Sequence, residues 1–202
     1  MPDLAKMVVV LTAITTVCGV ALGGLNAATS ERIEEQDLRN RQLPAVERVF
    51  SEARNDLLGD RRTVDLGEGG ESWLFVARGD GGGEPYGLSF ETRAPGFDGP
   101  VGVMVGFDLT TEVLAGAAVT THSETPGVGA RAATEPAICA QFAGMPLDAT
   151  FAVRQDGGEI DAISGATVTS RAVCRAVSEA VRTYRAQTDA ITAAARGQGG
   201  DR

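Results

Sequence analysis

This 202-residue chain has one histidine, His122, and three cysteines, Cys18, Cys139 and Cys174, and no two cysteines form a CxxC pair. A zinc or iron–sulfur centre built by the chain alone therefore lacks ligands. Basic residues are also scarce: 18 against 27 acidic ones give a net charge of −9, which argues against a nucleic-acid-binding protein, because phosphates need clustered cations. No GxGxxG follows a strand, and no nucleophile–base pair stands out, so dinucleotide binding of that kind and covalent catalysis have no support. What is present in quantity is glycine. Twenty-six glycines point away from an all-helical protein and toward a loop-rich α+β domain.

The long apolar run is confined to the start. Met7 to Ala28 is 22 residues without a charge. As a helix at ~1.5 Å per residue it extends about 33 Å, enough for a bilayer core of roughly 30 Å. A cleaved signal peptide shares the pattern of Lys6, apolar run and small residues, but the run exceeds a usual signal core and lacks a clean Ala-x-Ala end. A buried core helix would need a polar face that this run does not have. The expectation is a single anchor in the cell (inner) membrane. Lys6 and the amino terminus place the start in the cytoplasm and the bulk of the chain on the extracytoplasmic side. Gly19, Gly23 and Gly24 would let another helix approach closely.

The rest divides as follows: residues 1–6 as a cytoplasmic terminus, 7–28 as the transmembrane helix, 29–58 as a stalk and first helix interrupted at Pro44, 59–187 as the folded domain, and 188–202 as a flexible tail. Within the domain, 72–77 and 86–90 are predicted strands joined around Gly79–Gly83, and Trp73 is expected in the core. Val101–Asp108, Val113–Thr121 and Met145–Val153 are further strands, and Ala130–Phe142 is a helix. Cys139 and Cys174 both fall in helix patterns outside the anchor, so a disulfide and two free buried thiols are both open.

The chain is organised around Asp161-Ala162-Ile163-Ser164-Gly165-Ala166-Thr167-Val168-Thr169-Ser170. It reads as a strand end, a small-residue turn and a helix start. Val173, Val177, Val181 and Tyr184 then repeat by four, four and three, one apolar stripe of a helix. Thr169 or Ser170 is suited to cap its first turn. Gly165 and Ala166 leave room for a ligand near the backbone. A helix start also suits a phosphate, through its free N–H groups and dipole. By physics alone the same stretch reads first as a plain capped turn.

Ser164-Gly165-Ala166-Thr167, with Asp161 three residues before the serine, resembles the flavinylation motif of the FMN-binding domain family. That family includes the G subunit of the Rnf electron-transport complex and the C subunit of the sodium-pumping NADH:quinone oxidoreductase. A second stretch, His122-Ser123-Glu124-Thr125-Pro126-Gly127-Val128-Gly129, resembles the family's His-x-Glu-Thr-Pro-Gly-x-Gly loop, with Val128 where leucine is usual. The glycine-rich Gly96–Pro100 loop and the strand after it are similar as well, with Phe97 and Asp98 where an aromatic-Gly pair is usual. The resemblance runs from Phe75 to Tyr184 and its flanks, and chain length favours the Rnf member of the family.

The resemblance implies FMN held through a phosphoester to Thr167. Ser164, Gly165, Ala166, Glu124, Thr125, Gly127, Val128 and Gly129 would line the cofactor, and Asp161 would be recognised by a separate flavin transferase that uses FAD. It implies no catalytic residue in the chain: Thr167 is an acceptor, and His122 at a strand end reads as structural. The implied role is an electron relay in a membrane-bound, ion-translocating ferredoxin:NAD⁺ oxidoreductase, between an iron–sulfur centre and another flavin subunit. The alternatives are the corresponding member of the quinone-reducing pump, and a tethered assembly module without flavin.

Overall fold

The computed structural model describes residues 2–67, 70–80, 82–135 and 137–197. It contains two compact units, Met1–Asn40 and Arg41–Arg202. The first is helix α1, Pro2–Asp37. Its stretch Leu4–Ser30 is, among the described residues, the one helix long and apolar enough to cross a membrane. The helix runs past the expected end at Ala28 because Thr29 to Asp37 are compatible with helix; Thr15 and Thr29 return their hydroxyls to carbonyls four residues back.

A π-type turn, Leu38–Gln42, leads to α2, Leu43–Val49. Pro44 sits in the first turn of α2, where its missing N–H costs no helical bond, so the expected break is a restart.

Five strands form one antiparallel sheet in the order β1-β2-β3-β4-β5: Arg62–Asp65, Glu71–Arg78, Pro85–Pro95, Pro100–Asp108 and Val113–Thr121. Helices α3 (Arg131–Thr134), α4 (Ala137–Ala140), α5 (Thr167–Ala186) and α6 (Thr188–Ala195) follow. The fold is α+β, as composition and pattern indicate.

The core lies between the sheet and α5. Leu88 and Phe90 of β3 and Val101, Val103, Val105 and Phe107 of β4 alternate onto one face, because successive strand side chains point to opposite sides. They meet Val173, Val177, Val181 and Tyr184 of α5, the stripe read from the sequence, together with Ala172, Ala176 and Ala180 beside it. Phe107 stacks on Phe90 at 5.5 Å and on Tyr184 at 4.4 Å between ring centres. On the opposite face, Gly87 and Gly106 have no side chain because Val49 and Phe50 occupy the space a Cβ would need. That packing seats α2 on β4 and β5.

Four expectations are corrected. Ala130–Phe142 is not one helix: Glu135, which precedes a proline in the sequence, is extended (φ −105°, ψ 113°) and separates α3 from α4. Met145–Val153 is not a strand. It makes only isolated bridges, Val113 with Pro146 and Val153 with Ile160, and a tight turn closes from Ala149 N–H to the Pro146 carbonyl. Trp73 is half-buried on the edge pair β1–β2 rather than central, with the Arg61 guanidinium 4.7 Å over its ring. The segment assigned to a flexible tail contains α6, whose Ile191 and Ala195 are buried one turn apart, and the Ala195 carbonyl accepts from Arg78 Nη2 at 2.9 Å. Residues 198–202 of that tail lie outside the described residues.

Cys139 and Cys174 are both buried free thiols. Burial pushes each from the ordinary 9.0 up to about 11. Two results are expected. Thiol reagents at neutral pH modify these residues in the unfolded chain and leave them unmodified in the folded one, which mass spectrometry reads directly. The folded thiols keep their protons where the unfolded ones begin to ionise. Their contribution to stability is therefore complete below about pH 9 and declines as pH rises toward about 11, seen as a falling Tm.

Candidate functional site

Three segments distant in sequence converge at one end of the sheet. The first is the β3–β4 hairpin tip, closed by Gly96 N–H to the Gly99 carbonyl at 2.8 Å, with Phe97 71% exposed. The second is the loop after β5, where the Thr125 carbonyl accepts from both Val128 and Ala130 N–H at 3.2 Å. Gly127 holds φ +75° there, a conformation that favours glycine. The third is the turn before α5, where Gly165 holds φ +80° and Ala166 N–H bonds the Ile163 carbonyl at 2.9 Å.

Glu124 joins them. Its side chain is buried, the residue being 4% exposed. Oε1 accepts the backbone N–H of Phe97 at 2.8 Å and of Asp98 at 3.2 Å, and Oε2 accepts the Thr169 hydroxyl. Beside it, the Thr125 hydroxyl donates to Asp98 Oδ2 at 2.7 Å. Gly96 and Gly129 have no room for a Cβ, because at both positions it would meet a Glu124 carboxylate oxygen. Two glycines of the sequence motifs are thus explained by packing around one carboxylate.

Neither hydroxyl expected to cap α5 does so. Thr169 is buried and turned to Glu124. Ser170 accepts Ile163 N–H at 3.0 Å and donates to the Ala166 carbonyl at 3.0 Å, bracing the turn instead. The residue at the cap position is Ala166, which has no side chain able to bond the first-turn N–H groups. Those donors are left for water or a ligand, since helix N-termini hold several without intrahelical partners. Thr167 is the first helical residue and half-buried, while Ser164 and Gly165 are exposed. The three hydroxyls of the motif therefore occupy three environments: Ser164 in solvent, Thr167 at the helix mouth and Thr169 inside.

Charge around the turn is arranged in pairs. Asp161 is exposed and bonds Arg154 Nε at 2.6 Å; its N–H donates to Gln141 Oε1 at 2.7 Å. Arg131 is gripped by Glu135 through Nε at 2.7 Å and Nη2 at 2.9 Å, and its Nη1 reaches the Ser164 carbonyl at 3.5 Å. The hydrogen bond from Arg131 holds the Glu135 carboxyl below its ordinary value. Arg171 likewise pairs with Asp156, lowering that carboxyl. His122 lies exposed at the start of the loop.

Beside Val128, which the sequence reading named, the structure adds Phe97, Val168 and Arg131, which that reading did not place at the cofactor. Among the described residues of Arg41–Arg202, the large hydrophobic side chains left exposed are Phe97, Val128 and Val168. One belongs to each converging segment. Phe97 was legible only as an aromatic between glycines, and Val168 as an interruption of the hydroxyl run. Arg131 had a local signal in its (i, i+4) spacing to Glu135.

A hydroxyl at an uncapped helix start, small residues around it and three exposed apolar side chains on the segments braced by Glu124 suit a molecule with a phosphate and a flat apolar ring. Consistent with that class, residues 96–182 match the FMN-binding domain family. Over 117 residues the chain is 41% identical to the G subunit of the ion-translocating oxidoreductase complex of Cronobacter sakazakii; the match covers 55% of each, so the chain spans about half the length of that relative. It is 34% identical over 165 residues to the G subunit of the same kind of complex in Photorhabdus laumondii, covering 76% of this chain and 77% of that one. Among solved structures, the C subunit of the sodium-translocating NADH-quinone reductase of Parabacteroides distasonis is similar with a TM-score of 0.49 at 22% identity, over 65% of this chain and 66% of that one. The chain belongs to the family formed by the G subunits of ion-translocating oxidoreductase complexes.

Proposed function

We propose that this chain is the electron-relay subunit of a membrane-bound ion-translocating oxidoreductase complex of the Rnf type, and that it carries FMN through a phosphoester on Thr167. The observation that carries the reading is the placement of Thr167: first residue of α5, beside the uncapped N–H groups, on the cradle from which Phe97, Val128 and Val168 project.

The residues fit the cofactor. The N–H groups of the first turn of α5 would face the phosphate, with the dipole of a 20-residue helix behind them. Gly165 and Gly127 leave open space where an added Cβ would meet nothing within 4 Å, so a ligand can lie close to the backbone. Phe97, Val128 and Val168 would border the isoalloxazine. Bound FMN supplies the redox chemistry, and the chain supplies position and electrostatics. Ser164, Gly165, Ala166, Thr125, Gly127, Val128 and Gly129 shape the cradle. Asp161, exposed and paired with Arg154, is available for recognition by a flavin transferase.

Attachment is a phosphoryl transfer with no change of oxidation state. The Thr167 oxygen bonds to the flavin-proximal phosphorus of FAD, the pyrophosphate bond breaks, AMP leaves, and the hydroxyl proton passes to a base of the transferase. Helix α1 would anchor the chain in the membrane with the domain on the extracytoplasmic side, where a covalent tether prevents loss of the cofactor. The partners would be iron–sulfur and flavin proteins of the same complex, which would oxidise ferredoxin and reduce NAD⁺, this chain touching neither.

The test is the intact mass of the full chain, coexpressed with a flavin transferase and denatured. Addition of about 440 Da, localised by fragmentation to the peptide holding Thr167, is the expected result. An unmodified mass beside a flavinylated control target rejects the reading and leaves a tethered module without flavin.

A further inference from the structure

We propose that Glu124 is the positioning residue of the cradle: its buried carboxylate fixes the tether point on α5 against the apolar bed at Phe97 without itself touching the flavin. The inference rests on the flavin reading above and deepens it.

The sequence motif alone offers Glu124 as a hydrogen-bond partner for the cofactor. The structure engages both of its oxygens inside the protein. Oε1 holds two successive N–H groups of the hairpin tip, and these belong to Phe97, whose ring projects outward, and to Asp98. Oε2 holds Thr169, two residues after the acceptor Thr167. One side chain therefore bridges the proposed ring bed and the proposed attachment point, and the glycines at 96 and 129 make space for it. The Thr125–Asp98 bond closes the same two loops a second time at the surface. A buried carboxylate satisfied by three donors resists rearrangement, because freeing any oxygen would leave a buried charge short of partners. The cradle is thus held in shape before a flavin arrives, as preorganisation requires.

Hydrogen-bond chemistry separates positioning from contact. Glutamine at 124 keeps a carbonyl oxygen for the Phe97 and Asp98 N–H groups. Its amide can donate to the Thr169 hydroxyl, which accepts as readily as it donates. Glu124→Gln is therefore expected to preserve the cradle while deleting the charge, whereas Glu124→Ala deletes all three bonds. Thr169→Val removes one.

The experiment uses the full-length chain and a flavin transferase with FAD, with three readouts: initial rate of flavin attachment by mass, fluorescence anisotropy decay of attached flavin, and hydrogen exchange of the peptide holding Phe97 and Asp98. Circular dichroism confirms that each variant is folded. Expected for Glu124→Gln is a rate within about twofold of wild type, with exchange protection, anisotropy and flavin spectrum unchanged. For Glu124→Ala, attachment slows on the order of 10–100-fold, as misplaced reacting groups do. Protection at 97–98 is lost and the flavin tumbles more freely. If Glu124→Ala does not fold, Thr169→Val gives the same signs at smaller size.

A glutamine variant that keeps protection yet loses the rate or shifts the spectrum overturns the proposal, since the charge would then act on flavin or transferase directly. An alanine variant with wild-type rate and anisotropy overturns it as well. An unmodified wild-type chain overturns the underlying flavin reading instead, and the two failures are told apart by that control.

Discussion

Replacing Thr167 by alanine is expected to yield a folded chain with no covalent flavin. Of the motif hydroxyls, Ser164 lies in solvent ahead of the helix and Thr167 stands at the helix mouth, where the proposal places the attachment. Thr169 is committed to Glu124, Ser170 braces the turn, and the Thr167 hydroxyl has no hydrogen-bond partner among the described residues. Its removal therefore leaves no orphaned group. Alanine is a better helix former at a first-turn position, so stability should change by less than about 0.5 kcal/mol. The loss of attachment should be complete, because the proposed bond is to the deleted oxygen. Intact mass after denaturation reads the result, and a cooperative unfolding transition matching wild type shows that the loss is chemical. Thr167→Ser keeps the oxygen and is expected to retain attachment at a reduced rate, since the missing methyl leaves the side chain with more rotamers. Flavin still bound to the denatured alanine variant would move the tether elsewhere.

The second large effect is expected at Phe107. Its ring is 1% exposed and stacked between Phe90 and Tyr184, so it joins β3, β4 and the end of α5. Truncation to alanine removes that contact area and leaves a cavity that rigid strands cannot collapse, a cost of roughly 3–5 kcal/mol. Against a typical total of about 5–15 kcal/mol, that is a large share of the domain's stability. The denaturant midpoint should fall markedly at constant m-value, while α1, a separate compact unit, keeps its helicity. Because α5 carries the proposed acceptor at its other end, flavin attachment to Phe107→Ala should fail at temperatures where wild type is still modified. A midpoint within experimental error of wild type would show that the aromatic stack contributes little.

Much of the fold was legible because its signals are local. Short apolar runs bounded by turn residues mark β2, β4 and β5. The apolar stripe from Val173 to Tyr184 announces α5, and an uncharged run of 22 residues announces α1. Errors fell where local signals are weak. Met145–Val153 has strand-forming residues but no neighbour to complete a ladder, and α6, although rich in alanine, is too short to form on propensity alone and is held by the burial of Ile191 and Ala195. The two short helices in place of one follow from the proline after Glu135, a signal present in the chain but outweighed by the apolar spacing around Ile138.

The site divides the same way. The amino-acid sequence by itself determined the two motifs, their order and the helix that displays Thr167, because each is set by residues within a turn or two of one another, and the resemblance of Ser164–Thr167 to a flavinylation motif made Thr167 the acceptor candidate. Only the tertiary structure decided which partners Glu124 holds, which glycines exist to accommodate it, and that the segments bearing Phe97, Val128 and Val168 meet around it. The bonds responsible cross 27 residues from Glu124 to Phe97 and 45 to Thr169. No periodicity carries such information. A carboxylate seen along the chain is an open set of acceptors, and its partners are settled when the sheet brings a hairpin tip and a helix start within hydrogen-bond reach and burial makes leaving either unpaired too costly.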